Sequence, residues 1–109
     1  MPLRVKICGI TNELDAVAAA RAGADAIGLN FYARSPRCIT EPHAAAIIRV
    51  LPPFVEPVGL FVNQPWSEVA AVAGRLGLRT VQIHADRMEP SPHPALRWVA
   101  AFAVKEQAD

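Results

Sequence analysis

At 109 residues, 52% hydrophobic and 19% charged, the chain has the composition of a soluble, single-domain globular protein and not of a disordered or fibrous one. Its 11 basic and 10 acidic residues leave a formal charge of +1 and are mixed along the chain, so there is no basic field to hold nucleic acid or an anionic membrane, and any anion must be bound locally. No run nears the ~20 apolar residues of a membrane span and the first four residues have no signal-peptide character, so a cytoplasmic location is expected. Cys8 and Cys38 are then reduced thiols, the three histidines are too scattered for a zinc pattern, and neither a metal nor a cofactor is expected.

Short β-rich runs alternate with amphipathic helical stretches, which predicts βα units and a parallel sheet. The first run, Leu3 to Ile7, ends in Cys8 and a glycine turn. Asn12 is placed to cap a helix with Glu13 and Asp15 in its first turn, and helical spacing turns Leu14, Val17, Ala18 and Ala22 inward until Gly23 ends it in the left-handed region. Ala26 to Phe31 reads as the second strand, and Tyr32 to Ile39 as a polar loop carrying Arg34, Ser35 and Arg37.

Thr40 caps a second helix that tolerates Pro42 in its first turn, buries Ala44, Ile47, Ile48 and Leu51, and is stopped by Pro52 and Pro53. The third strand runs from Val55 to Val62, with Pro57 placing the start of its ladder near Val58. A third helix follows from Ser67 to Leu76, with Val69, Val72, Ala73 and Leu76 inward and Gly77 closing it. Thr80 to His84 is the fourth strand. The stretch 85–97 carries Pro90, Pro92 and Pro94 and is expected to be an extended Pro-rich loop without a crossover helix. Trp98 to Val104 reads as the fifth strand and Lys105 to Asp109 as an exposed polar end.

Five parallel strands with three helices predict an α/β fold that is part of a (β/α)8 TIM barrel, a fold of typically ~250 residues. The 109 residues make about half of one, which leaves two unpaired sheet edges and an uncovered apolar face. In such a barrel the side chains at the carboxyl ends of the strands meet at one face, and Cys8, Arg37, Asn63 and His84 all fall there. A thiol at a strand mouth, against a glycine turn, is placed to act on a ligand rather than to fill a core. Arg34, His43 and His93 read as solvated surface groups, Asn63 as a residue that caps or orients the loop before the third helix, and Cys38 as a half-buried loop thiol.

Five blocks, in order and at similar spacing, resemble one known family: Val5-Lys6-Ile7-Cys8-Gly9-Ile10-Thr11, Gly23-Ala24-Asp25-Ala26-Ile27-Gly28, Ser35-Pro36-Arg37, Val58-Gly59-Leu60-Phe61-Val62-Asn63 and Val81-Gln82-Ile83-His84. The family is phosphoribosylanthranilate isomerase of tryptophan biosynthesis. The resemblance implies that Cys8 is the general base removing the C2 proton in an Amadori rearrangement, that Arg37 meets the anthranilate carboxylate of a small phosphosugar substrate, and that His84 faces the ligand or braces the neighbouring loop. Ala85 departs from the pattern, since the family usually has glycine there.

The resemblance also implies a general acid, an aspartate at the end of the sixth strand, and a phosphate site in the loops after strands seven and eight. Neither has a counterpart in these residues. Asp86 and Asp109 sit on no matched position, so the acid role is not carried to them. The implied reading is the N-terminal half of such a barrel, inactive alone, with the C-terminal half as its missing partner. Two alternatives stay open: a non-catalytic half-barrel that forms a homodimer through its open edges, and another phosphosugar-binding βα-barrel enzyme.

Overall fold

A computed structural model describes residues 3–85 and 95–101. They form, in chain order, β1 (Lys6–Ile7), α1 (Glu13–Arg21), β2 (Ala26–Asn30), α2 (Glu41–Arg49), β3 (Glu56–Val62), α3 (Trp66–Leu76), β4 (Thr80–His84) and β5 (Arg97–Ala101). All pairings are parallel, in the spatial order β1-β2-β3-β4-β5. That order decides the architecture. A doubly wound sheet reverses its order at a switch point and carries helices on both faces, whereas an unbroken sequential order with right-handed crossovers keeps the helices on one face, as in a barrel. The fold is an open five-stranded segment of a (β/α)8 barrel.

Period two along the strands sorts residues between the two faces. Ile27 and Leu29 of β2 are fully buried against Ala16 of α1 and Ala44 and Ile47 of α2. Phe61 of β3 and Val81 and Ile83 of β4 are buried with Val69 and Ala73 of α3. Burying each large aliphatic side chain stabilises the fold by about 1.5–3 kcal/mol, so this helix-covered face holds the sheet together. Phe31 stacks on Phe61 at 5.3 Å and joins the two clusters, and Trp66 meets Trp98 edge-on at 5.7 Å, which fastens β5 to α3. The opposite face carries the alternate residues, among them Lys6, Gly28, Leu60, Gln82 and His84.

The helix ends follow their sequence signals. Asn12 Oδ1 accepts from the Asp15 amide at 2.8 Å, Thr40 Oγ1 accepts from the His43 amide at 3.3 Å, and Gly77 closes α3 at φ 71°. The inward stripe expected for α1 is a different one. Leu14 is 84% exposed and Ala18 and Ala22 are also exposed, while Ala16 is fully buried and Ala19 packs on the core. Small side chains let this helix approach β2 closely. The roll that seats them turns Ala18 and Ala22 into an apolar groove shared with Val5 and Ile7.

β2 ends one residue early at Asn30, α3 starts one residue early at Trp66, and three other boundaries also differ. β1 is only two residues long, because it pairs on one side alone, although Val5 is still tied in by accepting from the Asp25 and Ala26 amides. The β3 ladder starts at Glu56 and runs through Pro57. Even-numbered residues of β3 bond β2 and odd-numbered ones face β4, as Glu56 N–H to Asp25 and Asn63 N–H to His84 show, so the missing Pro57 N–H points below the start of the β3–β4 ladder at Val58 and Thr80. β5 begins at Arg97, whose amide donates to the Arg79 carbonyl at 2.9 Å. Most of the expected Pro-rich loop, with Asp86 and His93, lies outside the described residues, as does the expected polar end to Asp109. No helix among the described residues is long and apolar enough to cross a membrane.

Candidate active site

The chain leaves β1 at Ile7, so Cys8 is the first residue of the β1–α1 loop and, by alternation, shares the open sheet face with Lys6. The thiol is free and exposed. The turn that follows calls for glycine through its backbone, Gly9 having φ 76°, and the Arg37 side chain takes up the open space, with Cδ 2.7 Å and Nη1 2.9 Å from where a side-chain carbon would stand. The guanidinium therefore lies on the backbone next to Cys8. Arg37 and Gly9, distant in sequence, meet at this strand end.

Arg37 is brought there by a loop anchored along its length. Asn30 Oδ1 accepts from the Tyr32 amide at 2.8 Å, Ser35 Oγ accepts from the Arg37 amide at 3.1 Å, and the Cys38 amide donates to the Ser35 carbonyl at 3.1 Å. The Ile39 amide then returns to the Asn30 carbonyl at 3.0 Å, with a parallel bridge between Asn30 and Cys38. Ser35 and Pro36 thus make the turn that aims Arg37 at Gly9. Arg34 is exposed, in agreement with a solvated charge. Cys38 is exposed, not half-buried, with its amide bonded to the Ser35 carbonyl and its Sγ donating to the Ile39 carbonyl at 3.9 Å.

His84 ends β4 half-buried, and its carbonyl accepts from the Asn63 amide at 2.9 Å. Asn63 does not cap α3, whose N-cap is Pro65. It instead occupies the left-handed region at φ 52°, which asparagine tolerates better than most residues. The distance between His84 and Cys8 is bridged by a pair the sequence reading gave no role: Lys6 Nζ donates to Gln82 Oε1 across the open face. Lys6 lies two residues before Cys8 and Gln82 two before His84, so strand alternation was the signal that put each pair on one face. Among the described residues there is no group of three or more His, Cys, Asp or Glu that would hold a metal ion.

Residues 5–108 match the N-(5'-phosphoribosyl)anthranilate isomerase family. The chain belongs to that family. It is 54% identical over 108 residues to the N-(5'-phosphoribosyl)anthranilate isomerase of Pseudomonas aeruginosa strain LESB58, covering 98% of this chain and 51% of that protein. The phosphoribosylanthranilate isomerase of Thermus thermophilus superposes with a TM-score of 0.87 at 36% identity, over 98% of this chain and 55% of that one. A phosphoribosylanthranilate isomerase solved with reduced 1-(o-carboxyphenylamino)-1-deoxyribulose 5-phosphate superposes with a TM-score of 0.77 at 45% identity, over 80% and 45% of the two chains. The chain thus spans about half the length of the isomerases it matches.

Proposed function

We propose that this chain supplies the N-terminal part of a phosphoribosylanthranilate isomerase of tryptophan biosynthesis, acting in the cytoplasm on a small phosphosugar. The observation that carries the reading is that the Arg37 side chain lies against Gly9, the residue that follows the exposed Cys8 in the loop after β1, which brings a cation to the strand end that holds the candidate base. In the reaction, a general acid protonates the furanose ring oxygen as the ring opens to an iminium. Cys8 then takes the C2 proton, the C2–H electron pair moves toward the iminium nitrogen, and the resulting enolamine tautomerises to the aminoketose. Hydrogen leaves C2 and returns at C1, so the step balances without an external oxidant. Arg37 holds the anthranilate carboxylate by a two-pronged contact, and His84 faces the same ligand from β4.

The general acid and the phosphate-binding loops come from outside these 109 residues, whether from further sequence of the same polypeptide or from a second chain. The 109 residues alone are therefore expected to show no useful turnover of N-(5-phosphoribosyl)anthranilate, and joining them to the C-terminal half of a family member is expected to restore it. In that closed barrel C8S is expected to lower kcat by about 10²–10⁴, the usual worth of a positioned acid or base. An undiminished C8S rate, or full activity from the isolated chain, refutes the assignment.

A second reading rests on the groove between β1 and α1, where Val5, Ile7, Ala18 and Ala22 stay uncovered with Leu14 exposed nearby. Here two copies of the chain cover each other's open edges as a non-catalytic homodimer. Sedimentation separates the two: a stable dimer with no complementation by a C-terminal half favours assembly.

A further inference from the structure

Gly28 sits in the middle of β2, on the open face, in ordinary strand conformation, so its backbone does not require glycine. What requires it is the neighbour. A side-chain carbon at residue 28 would stand 3.2 Å from both Cα and Sγ of Cys8, closer than the 3.5–4.0 Å at which such atoms normally pack, and in ordinary contact with its Cβ at 3.5 Å. The Gly28 carbonyl also accepts from the Ile10 amide at 3.3 Å, so residues 8–10 arch over this one position and are held to it. Gly28 is itself buried under that arch.

We propose that Gly28 is a positioning residue for the Cys8 thiol: the missing side chain is the seat of the sulfur at the mouth of the site. The inference deepens the reading of Cys8 as the base and rests on it. The Cys8 backbone is fixed by the Ile10 bond below the loop and by the β1–β2 register before it, whereas rotation about the Cys8 Cα–Cβ bond is free within its staggered wells. A methyl group at position 28 therefore makes the sulfur give way by a few tenths of an ångström or turn to another staggered well, and with it moves the point from which a carbon-bound proton is taken. A displacement of this size is enough to weaken proton transfer, which depends on heavy-atom reach.

The test uses the 109-residue chain with Cys38→Ser, which leaves Cys8 as its sole cysteine. Gly→Ala inside a strand normally costs nothing or stabilises, so a merely structural glycine predicts an unchanged thiol in G28A. The seat predicts that Cys8 in G28A is alkylated by iodoacetamide roughly threefold or more faster at fixed pH, through greater exposure, with the far-ultraviolet circular dichroism retained. Equal alkylation rates in folded proteins overturn the proposal.

A second comparison covers the case in which G28A fails to fold. The same substitution is made on a Cys8→Ala background, where no sulfur needs the space. The contacts with Cα and Cβ of residue 8 remain there, so a drop in Tm that is larger in the Cys8 background, or loss of folding in that background alone, supports the seat, and an equal change in both backgrounds overturns it. The alkylation and Tm readouts need no isomerase chemistry. If C8S leaves turnover intact in the closed barrel, the base assignment fails by its own assay, while the seat is still decided by these two measurements.

Discussion

Arg37 shows how much a single side chain here depends on its surroundings. An isolated arginine in a polar loop is ordinarily a solvated charge, and Arg34 and Arg37 are both exposed, yet Arg37 also lies against the backbone of another loop. The difference is the Ser35 turn, which captures the Arg37 amide, and the bare Gly9 backbone, which gives the guanidinium somewhere to lie. If Arg37 grips a planar carboxylate, then lysine keeps the charge and loses the fork. R37K in the closed barrel is expected to raise KM about tenfold or more with a smaller change in kcat, since charge-assisted hydrogen bonds are worth about 1.5–3 kcal/mol. Steady-state kinetics with the phosphoribosyl substrate check it, and an unchanged KM removes Arg37 from the ligand.

Between elements, the outer helices are tied by charge as well as by packing. Arg75 of α3 grips Glu41 of α2 with two bonds, Nε at 2.7 Å and Nη2 at 3.0 Å, and His43 Nε2 lies 3.4 Å from Glu13 Oε1 across α1 and α2. The hydrogen bond from Arg75 holds the Glu41 carboxyl below its ordinary value of 4.5 and in turn raises the Arg75 guanidinium. A carboxyl depressed in the folded state binds its proton more readily when unfolded, so its contribution is present above the unfolded value and is lost as pH falls through the folded one. E41Q is therefore expected to lower Tm slightly at neutral pH. The gap should close as the buffer is taken well below pH 4.5, and added salt should shrink it, because the pair is exposed. A Tm gap independent of pH would mean that the pair contributes through packing alone.

For the molecule as a whole, the decisive feature is an edge. β1 pairs only with β2 among the described residues, and beside it Val5, Ile7, Ala18 and Ala22 form an apolar groove with Leu3 and Leu14 exposed nearby. Such a surface is the place to test for association. A18E places a charge in the groove on a residue that buries nothing in the core, so the isolated chain is expected to keep its circular dichroism and Tm. Complementation by a C-terminal half, or dimer formation, should weaken by about tenfold or more, the cost of burying an unpaired charge where partners meet. Unchanged association would show that the groove stays open in the assembled protein.

The sequence by itself determined the order and kind of the elements, because caps, prolines and glycines act within a few residues of where they stand: Asn12, Thr40, Gly23 and Gly77 all sit at the helix ends they signal. Together with the matched blocks it also named candidates for the site. It did not determine which face of α1 goes inward, since alanines and leucines at helical spacing offer two apolar stripes, and only contact with β2 chose Ala16 over Leu14. Nor did it reveal the Lys6–Gln82 contact or the space that Gly9 and Gly28 leave for Arg37 and Cys8. Those depend on sheet register and loop closure between residues far apart in the chain, and distance in space is set by the packed fold, not by local propensity.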